Sequence, residues 1–170
     1  MLRENKFLDQ VIRVNHAGEY GAVCIYHGQE LVLRKKLVGR KIMEMKKQEQ
    51  GHFAYFDSVM KEKKVRPTAF MPIWHVMGVM LGITTAMLGE GAAMACTVAV
   101  EDVISEHYQD QISALEDGEL KDKIVQFRDE ELEHHDIAAS YNSESSQEYR
   151  VLSYLIKNMC RVAIGISKVI

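Results

Sequence analysis

Two Glu-x-x-His units stand in this chain: Glu49-Gln50-Gly51-His52 and Glu131-Leu132-Glu133-His134. Residues i and i+3 project from one face of a helix, so each unit can offer a carboxylate and an imidazole to one metal ion. Of seven histidines only His52 and His134 have a glutamate three positions before them, and sixteen glutamates are spread over 170 residues. A random histidine therefore has roughly a one-in-ten chance of the same neighbour, and the two units by themselves are weak evidence.

Their placement is stronger evidence. Glu19 lies 30 residues before Glu49, and Glu101 lies 30 residues before Glu131. Tyr26 and Tyr108 follow Glu19 and Glu101 by seven positions, Gln29 and Gln111 by ten. This is the signature of a duplicated helical hairpin. Thirty residues is about one helix up, a turn and the next helix down, so at about 1.5 Å per residue Glu19 and Glu49 can meet at one level of an antiparallel pair. Two such hairpins packed face to face would bring four carboxylates and two imidazoles to one centre, the ligand pattern of dinuclear carboxylate bundles. Oxygen-rich, thiolate-free ligation suits iron or manganese better than a structural zinc. The alternative is that these acids lie on solvated helix faces. Against it, Glu101 sits in the apolar run "CTVAVEDVI", where an uncompensated carboxylate is costly, and Glu19 sits in the small-residue run "HAGEYGA".

The elements that must position these residues read as helices. Ala, Leu, Met, Glu, Lys and Gln dominate, only Pro67 and Pro72 interrupt, and no run alternates with period two. The pattern predicts an all-α, ferritin-like four-helix bundle built from two duplicated hairpins, with an apolar crossover helix and a C-terminal helix, as a single domain over 1–170. The expected helices cover 5–36, 38–64, 73–88, 92–117, 119–140 and 146–169, with turns at Val38-Gly39 and Asp117-Gly118 and a polar break at "NSESSQE". A net charge of −3 gives no basic field for nucleic acid. Cys24, Cys96 and Cys160 are far apart and form no C-x-x-C, which predicts free thiols rather than a thiolate metal site.

Thr68 to Gly89 carries no charge over 22 positions, long enough for a membrane span. A single crossing there would put Glu19, Glu49 and His52 on one side and Glu101, Glu131 and His134 on the other. The spacing argument therefore predicts that this segment lies along the bundle or dips into one leaflet. Lys61, Lys63, Lys64 and Arg66 precede it and suit anionic lipid; Arg34, Lys35, Lys36, Arg40 and Lys41 cluster at the first turn. The last helix is amphipathic, with Arg161 and Lys168 placed to snorkel.

The runs "RVNHAGEYGA", "GEGAAMACTVAVE", "EHYQDQI" and "FRDEELEHHDIA" resemble the demethoxyubiquinone hydroxylases of ubiquinone biosynthesis, over nearly the whole chain from Leu8 to Ile170. The resemblance implies a di-iron monooxygenase that uses O₂ to hydroxylate the ring of a polyprenyl quinone or quinol precursor. It places the ligands of two Fe ions on Glu19, Glu49, His52, Glu101, Glu131 and His134, and the family's His-Tyr pair on His107 and Tyr108 as catalytic candidates. It further implies a peripheral membrane protein on the cytoplasmic face of a bacterial inner membrane, or on the matrix side of the mitochondrial inner membrane. Partners implied are an external electron donor, a lipid-presenting accessory protein and a second copy of the chain. Met1 to Gln10 has neither signal nor transit-peptide character, which predicts a bacterial member or a trimmed mitochondrial one.

Around the candidate ligands, Gln48 and Glu130 are expected near the imidazoles, because a ligating histidine usually donates its second N–H to an acceptor. His135 points about 100° from His134 and is expected off the metal. Tyr108, two turns from Glu101 on one face, reads as substrate contact or proton and electron relay, or else as a satisfied core tyrosine. Tyr26, His16 and His27 read as structural. No Gly-rich dinucleotide loop is present, so electrons must come from outside. The competing readings are a peroxide-handling iron or manganese bundle, an iron store, and a non-catalytic lipid-binding scaffold.

Overall fold

The computed structural model describes residues 2–141 and 149–169. Among them there is no strand, and six helices follow one another: α1 Leu2–Leu33, α2 Leu37–Lys63, α3 Met71–Met87, α4 Glu90–Ala114, α5 Glu119–Ser140 and α6 Arg150–Ser167. The break foreseen at "NSESSQE" lies outside the described residues.

Two turns differ from expectation, each through the double use of glycine. Helix α1 stops at Leu33, three residues early, where the Lys36 N–H donates to the Leu33 carbonyl at 2.8 Å. Val38-Gly39 is not the turn; both residues are buried in the first turn of α2. Gly39 is needed for close approach, since a Cβ there would meet the Leu33 carbonyl oxygen at 2.2 Å. Helix α4 ends at Ala114, and Gly118 is the N-cap of α5 rather than the stop of α4. Its φ of 156°, like the 120° of Gly89 before α4, is a conformation that side chains with a Cβ rarely adopt.

The chain divides into two compact units, one holding α1, α2, α3 and the end of α6, the other α4, α5 and the start of α6. In the first, α1 and α2 form an antiparallel hairpin. Tyr26 on α1 reaches Met45 Sδ at 3.8 Å, and His16 near the other end reaches Asp57 at 3.6 Å. Ile12, Val38, Ile42, Met45 and Phe56 fill its core. In the second unit α4 and α5 pair in the same way, with His135 opposite Asp102 at 3.4 Å. The small residues Ala92, Ala93, Ala95, Cys96 and Ala99 make the start of α4 narrow enough to bury.

Helix α3 lies along α1 and runs parallel to it: His75 meets Tyr20, Gly78 meets Cys24, and Gly82 meets Gly28. A Cβ on Gly82 would lie 2.0 Å from the Ile25 carbonyl oxygen, so the backbones touch. The opposite face of α3 exposes Ile73, Val76, Met77, Met80 and Met87. No described helix is long and apolar enough to cross a membrane.

Candidate metal centre

In the first unit, Glu19 on α1 and Glu49 and His52 on α2 converge. His52 Nδ1 stands 3.4 Å from Glu19 Oε2 and 3.8 Å from Glu49 Oε2. The second contact is the i, i+3 pairing of one helix face; the first is made by the antiparallel hairpin. Each of these three residues offers a ligand atom within 4.8 Å of the others'. In the second unit, Glu101 on α4 joins Glu131 and His134 on α5, again with ligand atoms within 4.8 Å of one another. His134 Nδ1 is 3.2 Å from Glu131 Oε2.

Each unit thus holds a trio of two carboxylates and one imidazole, and all six side chains are buried. Glu49, Glu101, Glu131 and His134 are 0 % exposed. Burial at that level disfavours the charged carboxylate by several kcal/mol, roughly, unless a cation or proton compensates it. A dehydrated carboxylate pair beside an imidazole is suited to a divalent cation of the iron or manganese class, and sulfur takes no part in either trio. On its donor chemistry and its burial, each trio fits such an ion.

The other expected residues separate into groups. Tyr108 is buried at 1 % exposure on α4. His107, half-buried beside it, accepts a hydrogen bond at Nε2 from Gln111 Nε2 at 2.7 Å. Tyr26, the repeat mate of Tyr108, is buried, and its hydroxyl donates to Met45 Sδ. His135 lies 3.4 Å from Asp102 and 3.0 Å from Asp136. Glu130 accepts from Gln126 Nε2 at 2.8 Å, and Gln48 is exposed. His27 is exposed, whereas His16 is buried, its ring tilted 43° against that of Phe53 at 4.8 Å. Burial lowers the His16 pKa, and the nearby Asp57 carboxylate opposes that shift.

Two clusters escaped sequence reasoning. Asp102, adjacent to Glu101, binds both His135 and Lys157 of α6, the lysine at 2.5 Å. Tyr20, Cys24 and His75 meet on the first unit, with the Tyr20 hydroxyl oxygen 2.9 Å and Cys24 Sγ 3.5 Å from His75 Nδ1. Tyr20 and Cys24 are spaced i, i+4 on α1, a signal of a shared face, but nothing in the spacing announces His75. The three cysteines are free; Cys24 and Cys96 are buried and Cys160 is half-buried. Burial, reinforced by the Glu101 carboxylate, pushes Cys160 up to about 12.

Residues 6–167 match the family model described as "Ubiquinone biosynthesis protein COQ7". A human protein named "NADPH-dependent 3-demethoxyubiquinone 3-hydroxylase, mitochondrial" is 49 % identical over 167 residues, covering 95 % of this chain and 77 % of its own. The "3-demethoxyubiquinol 3-hydroxylase" of Rhodospirillum rubrum is 44 % identical over 164 residues, with 95 % and 77 % covered. The "5-demethoxyubiquinone hydroxylase, mitochondrial" of Saccharomyces cerevisiae is 40 % identical over 177 residues, with 93 % and 76 % covered.

Proposed function

The chain belongs to the COQ7 family of ubiquinone biosynthesis proteins, and from that membership we infer that it is a hydroxylase of the demethoxyubiquinone or demethoxyubiquinol ring, acting late in ubiquinone biosynthesis. The observation that carries the chemistry is the pair of buried Glu-Glu-His trios. We propose that Glu19, Glu49, His52, Glu101, Glu131 and His134 together hold two iron ions, and that residues 1–170 work as one catalytic domain. The matched 30-residue interval in both hairpins and the family's chemistry support one shared centre.

Two irons held there would supply activation of O₂ for insertion of one oxygen atom into the ring, the other leaving as water. The chain's own residues do the rest. The buried carboxylates would balance the charge of two divalent ions and keep the ligand set oxygen-rich, and apolar neighbours such as Val100 and Val103 exclude water from it. Tyr108 presents a buried hydroxyl for the quinol head group or for a proton. With Gln111 donating to Nε2, His107 is neutral and carries its proton on Nδ1, where it serves as a hydrogen-bond donor. Reducing equivalents come from outside the chain. The human relative's name specifies NADPH, and we assign the same class of donor here.

The polyprenyl tail requires a lipid surface. Helix α3 offers one, with an exposed apolar face beside Lys64 and Arg66. Lys61 is paired with Asp57 and Lys63 with Glu62, so the basic patch is weaker than its composition implies. The reading is a peripheral protein of the inner membrane, bacterial or mitochondrial, with a lipid-presenting partner and self-association as further expectations. The test is product analysis: expressed in a ubiquinone-deficient strain blocked at this step, the chain should restore the hydroxylated ring, and the purified protein should contain iron. Persistent accumulation of the demethoxy precursor with soluble, iron-loaded protein would overturn the assignment.

A further inference from the structure

Tyr20 and Cys24 both meet His75, bringing one oxygen and one sulfur to one nitrogen. Tyr20 Oη lies 2.9 Å and Cys24 Sγ 3.5 Å from His75 Nδ1. In a tetrahedral zinc site, with Zn–S about 2.3 Å and Zn–N about 2.0–2.1 Å, neighbouring donors stand about 3.3–3.6 Å apart. The sulfur and the nitrogen, 3.5 Å apart, are therefore already at the separation that one such ion imposes, and the oxygen, 2.9 Å from the nitrogen, has only to move out by a few tenths of an ångström, roughly. The scaffold is stiff: Tyr20 and Cys24 share one face of α1, and His75 leaves α3 one turn before Gly78, whose Cβ would strike Cys24 Cβ at 2.8 Å. Donors on helices that cannot slide or part are preorganised for binding. Cys24 is buried while His75 is exposed, so an ion has a path in and a fourth position toward solvent.

We propose that Cys24, His75 and Tyr20 form a second metal site, taking one thiophilic divalent ion of the zinc class, distinct in ligand chemistry from the carboxylate trios. On binding, the ion bonds to Cys24 Sγ and His75 Nδ1, and the Cys24 proton leaves to solvent. The Tyr20 oxygen supplies the third bond, and water the fourth. Its occupancy clips α3 to α1. Burial pushes the free Cys24 thiol up to about 11, so the ion must displace that proton and binds more tightly as pH rises.

The test uses the iron-loaded, full-length protein titrated with Co²⁺, whose thiolate charge-transfer band reports sulfur ligation. One equivalent should produce the band, and Zn²⁺ should bleach it. Cys24→Ser should abolish it, His75→Ala should weaken cobalt binding at least about tenfold, and Cys96→Ser and Cys160→Ser should leave it intact. Cobalt that displaces iron at the carboxylate centre gives no thiolate band, so failure here is separable from failure of the hydroxylase assignment. Absence of the band, or its survival in a Cys24→Ser protein with an unchanged helical spectrum, would overturn the site.

Discussion

Gly82 on α3 and Gly28 on α1 are in backbone contact, each with its missing Cβ replaced by the other helix's main chain. A Cβ on Gly28 would meet the Val79 carbonyl oxygen at 2.3 Å, and one on Gly82 the Ile25 carbonyl oxygen at 2.0 Å. Neither clash can be relieved by turning a side chain. Gly82→Ala should therefore cost stability at or above the top of the usual overpacking range, about 3 kcal/mol. Gly51→Ala, in open space within α2, should gain about 0.5–1 kcal/mol from helix propensity. Urea melts of the two variants check the contrast; equal midpoints would contradict the contact.

That contact also explains what could and could not be seen in the chain alone. The Glu-Glu-His trios were legible because two regular devices place them, the i, i+3 face and a hairpin of fixed length. The expectation that this segment would not cross a membrane came from the need to keep both sets of ligands in one compartment, and α3 is not long and apolar enough to cross one. Glycine was harder to read: Gly39 and Gly82 serve close approach, Gly118 a helix start, and the residue type is the same in each. His75 lies inside the uncharged run from Thr68 to Gly89, with no motif around it. Its partners Tyr20 and Cys24 lie 55 and 51 positions away, and their meeting depends on how α3 seats against α1.

Removing the metal should expose the electrostatic cost of the trios. An ion that binds only the folded chain stabilises it by about 4 kcal/mol at 1,000 times its dissociation constant. For a chain of this size that is roughly 8–16 °C in melting temperature. Chelation should lower the melting temperature in that range, and iron should restore it. Glu131→Gln and His134→Ala should each lose iron and fall to background hydroxylation while remaining helical. Full activity in either variant would remove that residue from the ligand set.

His16 should make stability pH-dependent. Burial is the larger influence and lowers its pKa, with Asp57 opposing. The unfolded chain then takes up the proton first as pH falls. This contribution is fully present above the ordinary histidine value of about 6.5 and declines as pH falls below it. Denaturant midpoints measured from pH 7.5 down to 5 should drop, and His16→Gln should flatten the slope. A midpoint that rises on acidification would mean that the Asp57 pairing outweighs burial.

Asp102 ties α4 to both α5 and α6 through His135 and Lys157. All three side chains are about one-third exposed, so solvent screens the ion pairs and each is worth at most about 1 kcal/mol. Asp102→Asn should cost that amount, and the loss should shrink in high salt. Because its neighbour Glu101 is a proposed ligand, iron content should be measured in the same variant; a shift of α4 would lower it, whereas a purely local loss would leave it unchanged.

The exposed face of α3 gives the last prediction. Val76, Met77 and Met80 are 55 %, 42 % and 61 % exposed and lie within two turns, opposite the glycines that seat the helix on α1. Since they contribute little to packing, a charge placed there should leave the fold alone. In a bilayer interface the same charge removes apolar burial, at about 25 cal/mol per Å², and adds desolvation. Met80→Glu should therefore keep the melting temperature and iron content while reducing flotation with anionic liposomes by tenfold or more, roughly. Hydroxylation of a long-tailed precursor in vesicles should fall with it, and that of a short-tailed soluble analogue should not. If both substrates suffer equally, the defect lies in the catalytic centre and α3 is not the lipid-facing element. If liposome binding is unchanged, another face, such as the exposed Val151, Leu155 and Val162 of α6, carries the contact.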